Sequence, residues 1–483
     1  MTQSISLFLS RTGGPPYLGS VGYVNDSISP ILQRNGFSVR AFSPPSTAGT
    51  EEALLPLALA AQHARHDGLD KPSIALYDCA GTTIRTPGKD WADKHVVLYH
   101  GLVYGPGNWM MNPDVDLHCA NSPYLARVLR SLFAAPDWRR RRLLNPGGFN
   151  AVTRVRLPVP CVEHPHGHPG FGHGSELPAE LLALLESGLV FGHALQPGKQ
   201  DLLATLGILY GLNQLARAHG SPPVLLLISE TSLNPDSRSA LDALLTGSGT
   251  NCMDYFIPVP HLNQRALARL MQACRFGLAY NRFPEPFGFY VLESVHHGCP
   301  VYTNGAGNNR HLLPPEHGIT VMETAAMLAS AQGRFDPAAY RSVAETIHAD
   351  LSRPSEMRER CERGAARIDQ TWSPAAFEQD LLAALATLGH PAPPAPDFEE
   401  LEVALSPLVR SLDLASGVSF NDYASGILGR DETAWLQDLI GQRCADMDSA
   451  GMARMEDAHG FFQRGLLTLQ VPGEGVMQAG EGA

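Results

Sequence analysis

Short apolar runs alternate with helical ones over the first 165 residues. ISLFLS comes first, then VNDSISPILQRNG after a loop, then the strand-like FSVRAF, PSIALYD and HVVLYHG, and finally DLHCANS and the helical PYLARVLRSLF. Apolar runs of this length, bounded by turn residues and separated by helical stretches, predict an open parallel sheet with helices on both faces. The pattern breaks between Cys161 and Pro178, where CVEHPHGHPGFGHGSELP has no periodicity and reads as a linker. It restarts with AELLALLES, the strand GLVFGHA, the helix DLLATLGILYGLNQLARAHG, the strand PVLLLISE, a helix near SRSALDALLTG, the strand DYFIPVP and the helix NQRALARLMQAC. Within this second unit the apolar FGLAY then leads through a glycine turn to YVLESVHHG, with Val291, Leu292 and Val295 at helical spacing.

The expected organisation is an α/β chain of two units: an N-terminal Rossmann-like domain over 1–165, a linker over 166–178, a second Rossmann-like domain over 179–370 and a closing helix over 371–390. PAPPAP, Pro391 to Pro396, is a stiff spacer. Beyond it, runs such as LEVALSPLVRSL and ETAWLQDLIGQRCADM predict a helical extension over 397–470, and 471–483 reads as a disordered tail. Homo-oligomerisation through these helices, capping of a cleft and binding of a carrier are the uses open to the extension.

Composition narrows the class. With 483 residues, 44% hydrophobic and 17% charged, the chain is long and apolar enough for two or three folded domains. A formal net charge of -12 argues against a main task of holding nucleic acid or an acidic membrane, and Arg139 to Arg142 reads as a solvated basic turn. The eight cysteines have no C-x-x-C spacing, so neither a disulfide framework nor a zinc site is indicated. The N-terminal ISLFL is too short for a signal peptide or a spanning helix, and a cytoplasmic protein without a transmembrane segment is expected.

Candidate chemistry concentrates between Ala279 and Gly307. Glu285 precedes and Glu293 follows the turn Pro286-Phe287-Gly288-Phe289, and a helix begins there. Free N–H groups and the positive dipole end of a helix start suit a phosphate, and Gly288 lets an anion approach the main chain. One carboxylate can then meet each end of a nucleotide-sugar, with the diphosphate between them. Gly298-Cys299-Pro300, the strand VYT and the turn NGAGNN follow.

This segment resembles the Glu-x7-Glu region of retaining, family 4 type glycosyltransferases of the GT-B fold, whose common form is E-x-F-G-x-x-x-x-E-A-x-x-x-G-x-P-V; the resemblance extends to about residue 390. It implies two Rossmann-like domains facing across a cleft and transfer of a sugar from an NDP-α-sugar to a hydroxyl-bearing acceptor, a glycan, natural product or other hydroxyl compound. No metal is obligatory and no cofactor is needed beyond the nucleotide-sugar co-substrate. By the resemblance Glu285 supports charge at the anomeric centre, Glu293 binds the ribose, and the amides of Phe287, Gly288 and Phe289 approach the sugar or phosphates. VFGHALQPGKQDLL is similar to the family's G-R-x-x-x-x-K-G stretch with one extra residue in the loop, which puts Lys199 on the diphosphate and His193 in the Arg position, where a phosphate could raise its pKa. Gly19-Ser20 occupies the family's Gly-Gly position in a loop that ends in Gly36-Phe37-Ser38-Val39, and Gly13-Gly14 lies earlier in it. His100, at the end of VVLYH, matches an active-site His that contacts the donor sugar, and Tyr104, Trp109 and Met110 could line an acceptor pocket or simply pack. Asn121-Ser122 matches a structural segment. His311 replaces a usual acidic residue after the turn Asn304 to Asn309, which leaves donor selectivity open.

His164, His166, His168 and His173 are read as linker rather than metal ligands, since alternating Pro and Gly do not preorganise a tetrahedral site. Two other readings stand beside the transferase: another GT-B nucleotide-sugar enzyme such as an epimerase, and a degenerate nucleotide-sugar or glycan-binding subunit that recruits a partner.

Overall fold

The computed structural model describes residues 3–9, 20–42, 71–79, 92–101, 115–134, 152–161, 175–196, 198–246, 249–282, 284–322, 337–390, 397–406, 408–413, 418–421, 425–447 and 466–472. These fall into two compact units, one within Met1–Pro158 and Pro374–Gln478, the other within Val159–Ser373.

The first unit is built on β1 (Ser4–Phe8), β2 (Ser38–Phe42), β3 (Ile74–Cys79), β4 (Lys94–Tyr99), β5 (Leu117–Ala120) and β6 (Val152–Arg154), all parallel, in the order β2-β1-β3-β4-β5-β6. Helices α1 (Ser20–Arg34) and α2 (Pro123–Ala134) belong to it. A parallel sheet covered on both faces requires near-continuous apolar strands, and β4 fits, with every residue after Lys94 buried. Its polar exceptions are paired: Tyr77 Oη lies 3.1 Å from His95 Nδ1, and Tyr99 Oη lies 2.8 Å from His118 Nδ1 on the next strand.

The second unit holds α3 (Ala179–Leu185), β7 (Val190–Ala194), α4 (Leu202–Ala218), β8 (Val224–Ser229), α5 (Pro235–Leu244), β9 (Phe256–Val259), α6 (Gln264–Ala273), β10 (Phe276–Ala279), α7 (Phe289–His296), β11 (Val301–Thr303), β12 (Ile319–Val321), α8 (Arg341–Leu351) and α9 (Pro354–Thr371). Its six parallel strands run in the order β12-β11-β10-β7-β8-β9. That is the doubly wound arrangement, with the chain reversing direction across the sheet between β7 and β10. Leu206, Leu209 and Leu212 of α4 pack with Leu226 and Ile228 of β8 and with Val343 and Ile347 of α8 in a hydrophobic core of this unit. Asn213 is buried here but satisfied, donating to the carbonyls of Leu209 and Val224 and accepting from the Val224 amide.

The chain returns to the first unit with α10 (Pro374–Ala386), then β13 (Glu402–Leu405), β14 (Val409–Asp413), β15 (Val418–Asn421), β16 (Ser425–Ile427), α11 (Arg430–Leu439) and β17 (Leu467–Gln470). The extension expected to be helical is therefore largely β: β13 pairs antiparallel with β17, and β14, β15 and β16 form a meander. Burial explains the correction. Leu401 and Val403 are buried while Glu402 and Ala404 are half-exposed, a period of two rather than 3.6. One helix, α11, stands where ETAWLQDLIG was read as helical. Leu408, beside β14, packs on Tyr124 and Val128 of α2, so the extension is anchored on a helix of the first unit.

No helix among the described residues is long and apolar enough to cross a membrane. The cysteines whose side chains are described are free. Gly13, Gly14, Gly19, Tyr104, Trp109, Met110, Arg139 to Arg142, His164, His166, His168, His173 and the PAPPAP spacer lie outside the described residues.

Candidate active site

Three adjacent parallel strands of the second unit, β7, β10 and β11, end at the same edge of the sheet, and the loops after them meet. The loop after β7 is tied to the loop after β10 by Asp201 N–H to the Tyr280 carbonyl (2.7 Å) and Arg282 N–H to the Lys199 carbonyl (2.8 Å). The loop after β11 is tied to the same segment from the other side. Asn304 Nδ2 donates to the Asn281 carbonyl (2.9 Å), Glu285 N–H to the Ala306 carbonyl (3.2 Å) and Asn308 N–H to the Glu285 carbonyl (2.7 Å). Glu285 thus has both its main-chain groups fixed by the turn NGAGNN.

That grip depends on Gly307. Its φ is +64° with ψ of -130°, and a Cβ there would lie 2.5 Å from the main-chain N and O of Glu285. Only glycine supplies both the conformation and the clearance. Gly288, at the start of α7, is similar: φ is +113°, and a Cβ would come within 2.6 Å of Leu312 Cδ1. Asn308 Nδ2 closes the turn onto the Phe287 carbonyl at 2.7 Å.

With its backbone fixed, the Glu285 carboxylate is aimed at the loop after β7. Lys199 Nζ lies 2.8 Å from Glu285 Oε2, and Gln196 Nε2 donates to the same oxygen at 3.4 Å. The Glu285 side chain is 7% exposed and that of Lys199 44%. A buried carboxylate needs such a partner, and the lysine's outer surface remains available to a second anion. Around them, Gln196 Oε1 and both side-chain polar atoms of Asn281 and Asn309 are buried with no partner among the described residues, leaving donors and acceptors that a polyhydroxylated ligand can engage.

Glu293 sits in the second turn of α7, buried and hydrogen-bonded by the Gln264 amide. Burial pushes its carboxyl up to about 7, against the pull of that hydrogen bond. Phe287 is buried against Trp372 and Phe289, whose side chain is half-exposed.

His193 is placed differently from the expectation. Strand β7 runs on through it to Ala194, and the imidazole is fully buried beneath α7. The Ser294 hydroxyl donates to the Cys299 carbonyl, so it accepts from His193 Nε2–H (3.1 Å), and Nδ1 faces Tyr290 Oη (2.8 Å). Burial lowers its pKa to about 3, so it is neutral and cannot act as the cation expected on a diphosphate. It is a clamp between helix and sheet. The exposed Arg282, which sequence reasoning passed over, is a second cation whose backbone bonds directly to that of Lys199.

His100 follows β4 in the first unit, half-buried, its carbonyl accepting from Asn121 Nδ2 at 3.4 Å. Ser20 opens α1. Neither Glu285 nor Glu293 belongs to a group of described side chains able to hold a metal ion; the one such group is Cys161, His296 and His297.

No family model and no curated protein matches the chain. Solved structures do. The α,α-trehalose 6-phosphate synthase of Burkholderia multivorans is 12% identical over 80% of this chain and 99% of its own, with a TM-score of 0.53. Sucrose-phosphate synthase of Thermosynechococcus elongatus is 15% identical (80% and 99% covered, TM-score 0.49), and HepE of Anabaena, solved with UDP-glucose, is 14% identical (80% and 100%, TM-score 0.48). The two six-stranded parallel sheets and the match to the trehalose 6-phosphate synthase establish the GT-B fold expected from the sequence.

Proposed function

We propose that this protein is a retaining glycosyltransferase that moves a sugar from an NDP-α-sugar to a hydroxyl-bearing acceptor, forming an α-glycosidic bond. The observation that carries this reading is the Lys199–Glu285 pair at the point where β7 and β10 diverge, the crevice in which doubly wound sheets take nucleotide ligands. The Glu-x7-Glu resemblance supports it, as does the fold shared with solved sugar-phosphate synthases.

In this reading the donor diphosphate meets Lys199 and Arg282 and the N-terminus of α7 at Phe287 to Phe289, and Glu293 takes the ribose hydroxyls. Glu285, released from Lys199 as phosphate competes for the ammonium, faces the sugar and stabilises positive charge at the anomeric carbon. The bond from that carbon to the phosphate oxygen breaks with its electrons leaving on NDP. The acceptor oxygen bonds on the same face and gives up its proton. Front-side displacement is the preferred route, since few candidate nucleophiles are visible. No metal is required for these steps.

The test is transfer from UDP-, GDP-, ADP- and TDP-sugars across a hydroxyl acceptor panel, with the anomeric configuration of the product read by NMR. Glu285→Ala should lower turnover by at least ~10²-fold, the scale of losing one preorganised electrostatic contact, with circular dichroism unchanged. Full activity in that variant, or an inverted product, would sink the assignment. Donor isomerised without an acceptor would point instead to an epimerase.

The neutral, buried His193 favours one second reading, a subunit that binds a nucleotide-sugar or glycan without turning it over and recruits a partner. Calorimetric binding of a nucleotide-sugar with no transfer or hydrolysis on the whole panel would select it.

A further inference from the structure

Two consecutive histidines end α7. His296 is its last residue and His297 its cap, their rings 5.5 Å apart and almost perpendicular. Cys161, two residues into the second unit's chain, completes a group in which one ligand atom from each residue lies within 4.8 Å of the others. All three residues are half-buried.

The hydrogen bonding around these side chains already resembles that of a metal centre. His296 Nε2 lies 3.0 Å from Asp369 Oδ1 on α9, which fixes its proton on Nε2 and turns the lone pair of Nδ1 the other way. His296 Nδ1 and His297 Nε2 are both buried with no hydrogen-bond partner. An imidazole nitrogen left without a partner in the interior is costly unless something takes its lone pair.

We propose that Cys161, His296 and His297 bind a borderline-soft divalent cation of the zinc class, with Asp369 orienting His296 from behind. One thiolate and two neutral imidazoles suit Zn²⁺ and are poor ligands for Mg²⁺ or Ca²⁺, which take oxygen. Ligand atoms around a tetrahedral zinc lie about 3.3–3.6 Å apart by the usual bond lengths, so side-chain rotations of about an ångström or less close the group. The Cys161 thiol gives its proton to solvent on binding, and three protein ligands leave a fourth position for water. Bound there, the ion ties α7 to the segment by which the chain enters the second unit, and through Asp369 to the end of α9, four residues before the chain leaves it. It is a structural clamp that does not rest on the transferase reading and is built from side chains other than those proposed to bind the donor, although Cys161 lies within electrostatic reach of Glu293.

The experiment uses the full chain stripped of metal and titrated with Co²⁺ and then Zn²⁺. One cobalt per chain should give a thiolate-to-metal charge-transfer band and the intense visible bands of four-coordinate cobalt, and zinc should bleach both and raise the melting temperature. Cys161→Ser should abolish the charge-transfer band. Asp369→Asn should keep the fold while weakening zinc binding by about 10–100-fold, the usual cost of losing an orienting carboxylate. Binding by the histidines at 164, 166, 168 and 173 is the competing explanation of any zinc uptake, so a variant with all four changed to Asn is the third arm. Retained cobalt bands in that variant support the site. Their loss there with retention in Cys161→Ser, or no stoichiometric binding at all, overturns it.

Discussion

Gly307 and His193 show how far single residues set the candidate site. Gly307→Ala must push its Cβ against the Glu285 backbone in a conformation that L side chains rarely adopt. A stability loss of about 1–3 kcal/mol by urea unfolding is expected, together with a larger loss in turnover than that figure alone implies, because the displaced residue is Glu285 itself. Equal activity in a destabilised variant would show that the turn does not position the carboxylate. His193 makes a pH prediction. Its folded pKa of about 3 lies below the ordinary 6.5, so between those values the unfolded chain binds a proton that the native chain does not. Stability is then fully present above about pH 7 and falls as pH drops, by on the order of 2 kcal/mol between pH 7 and pH 5. His193→Leu should be less stable at pH 7 yet lose that part of the pH dependence, and an unchanged slope would mean that the imidazole titrates freely.

At the scale of elements, the helix α4 carries the loop that presents Lys199. Asp201 caps it, its side chain accepting from Ala204 N–H at 3.1 Å while its own N–H is held by Tyr280. Asp201→Ala should cost about 1 kcal/mol and, by loosening the Lys199 loop, weaken nucleotide binding in calorimetry; an unchanged affinity would separate the cap from the site. Most elements of both units were legible in the sequence because covered parallel strands are short apolar runs and their helices are periodic; the three-residue strands β6 and β12 and the polar helices α8 and α9 were not. The loops were legible only in part. Glu285, Gly288 and Glu293 stand out by spacing, whereas Gln196, Arg282 and Gly307 matter through pairings between loops roughly 20 to 90 positions apart, as in the bond of Asn308 to Glu285 and of Arg282 to Lys199, which no local pattern carries. His193 was misplaced because a strand buried on both faces gives no alternation to mark which side a polar residue takes. The extension was misread for the opposite reason: Leu401-Glu402-Val403-Ala404 does alternate, but over too few residues to outweigh the helix-favouring Leu and Ala around it.

For the whole molecule the two units differ in how the chain builds them. The second is one continuous segment, Val159–Ser373, whereas the first is completed only when the chain returns at Pro374. Helix α10 fastens that return. Asp380 receives Arg156 Nε and Nη2, each at 2.7 Å, and the Arg156 amide at 2.9 Å, while Glu378 accepts from Arg34 and from Asn35 Nδ2. The paired guanidinium and carboxylate are both mostly buried, the setting in which removing one partner is costly. Asp380→Ala should therefore destabilise the first unit by about 2–3 kcal/mol, and a chain ending at Ser373 should lose that unit's transition altogether. The second unit contains its own cores and the Lys199–Glu285 pair, so residues 159–373 alone should unfold in a cooperative transition of their own. Differential scanning calorimetry on the four proteins decides it: a single transition in the full chain that shifts as one with Asp380→Ala would mean that the units do not fold independently.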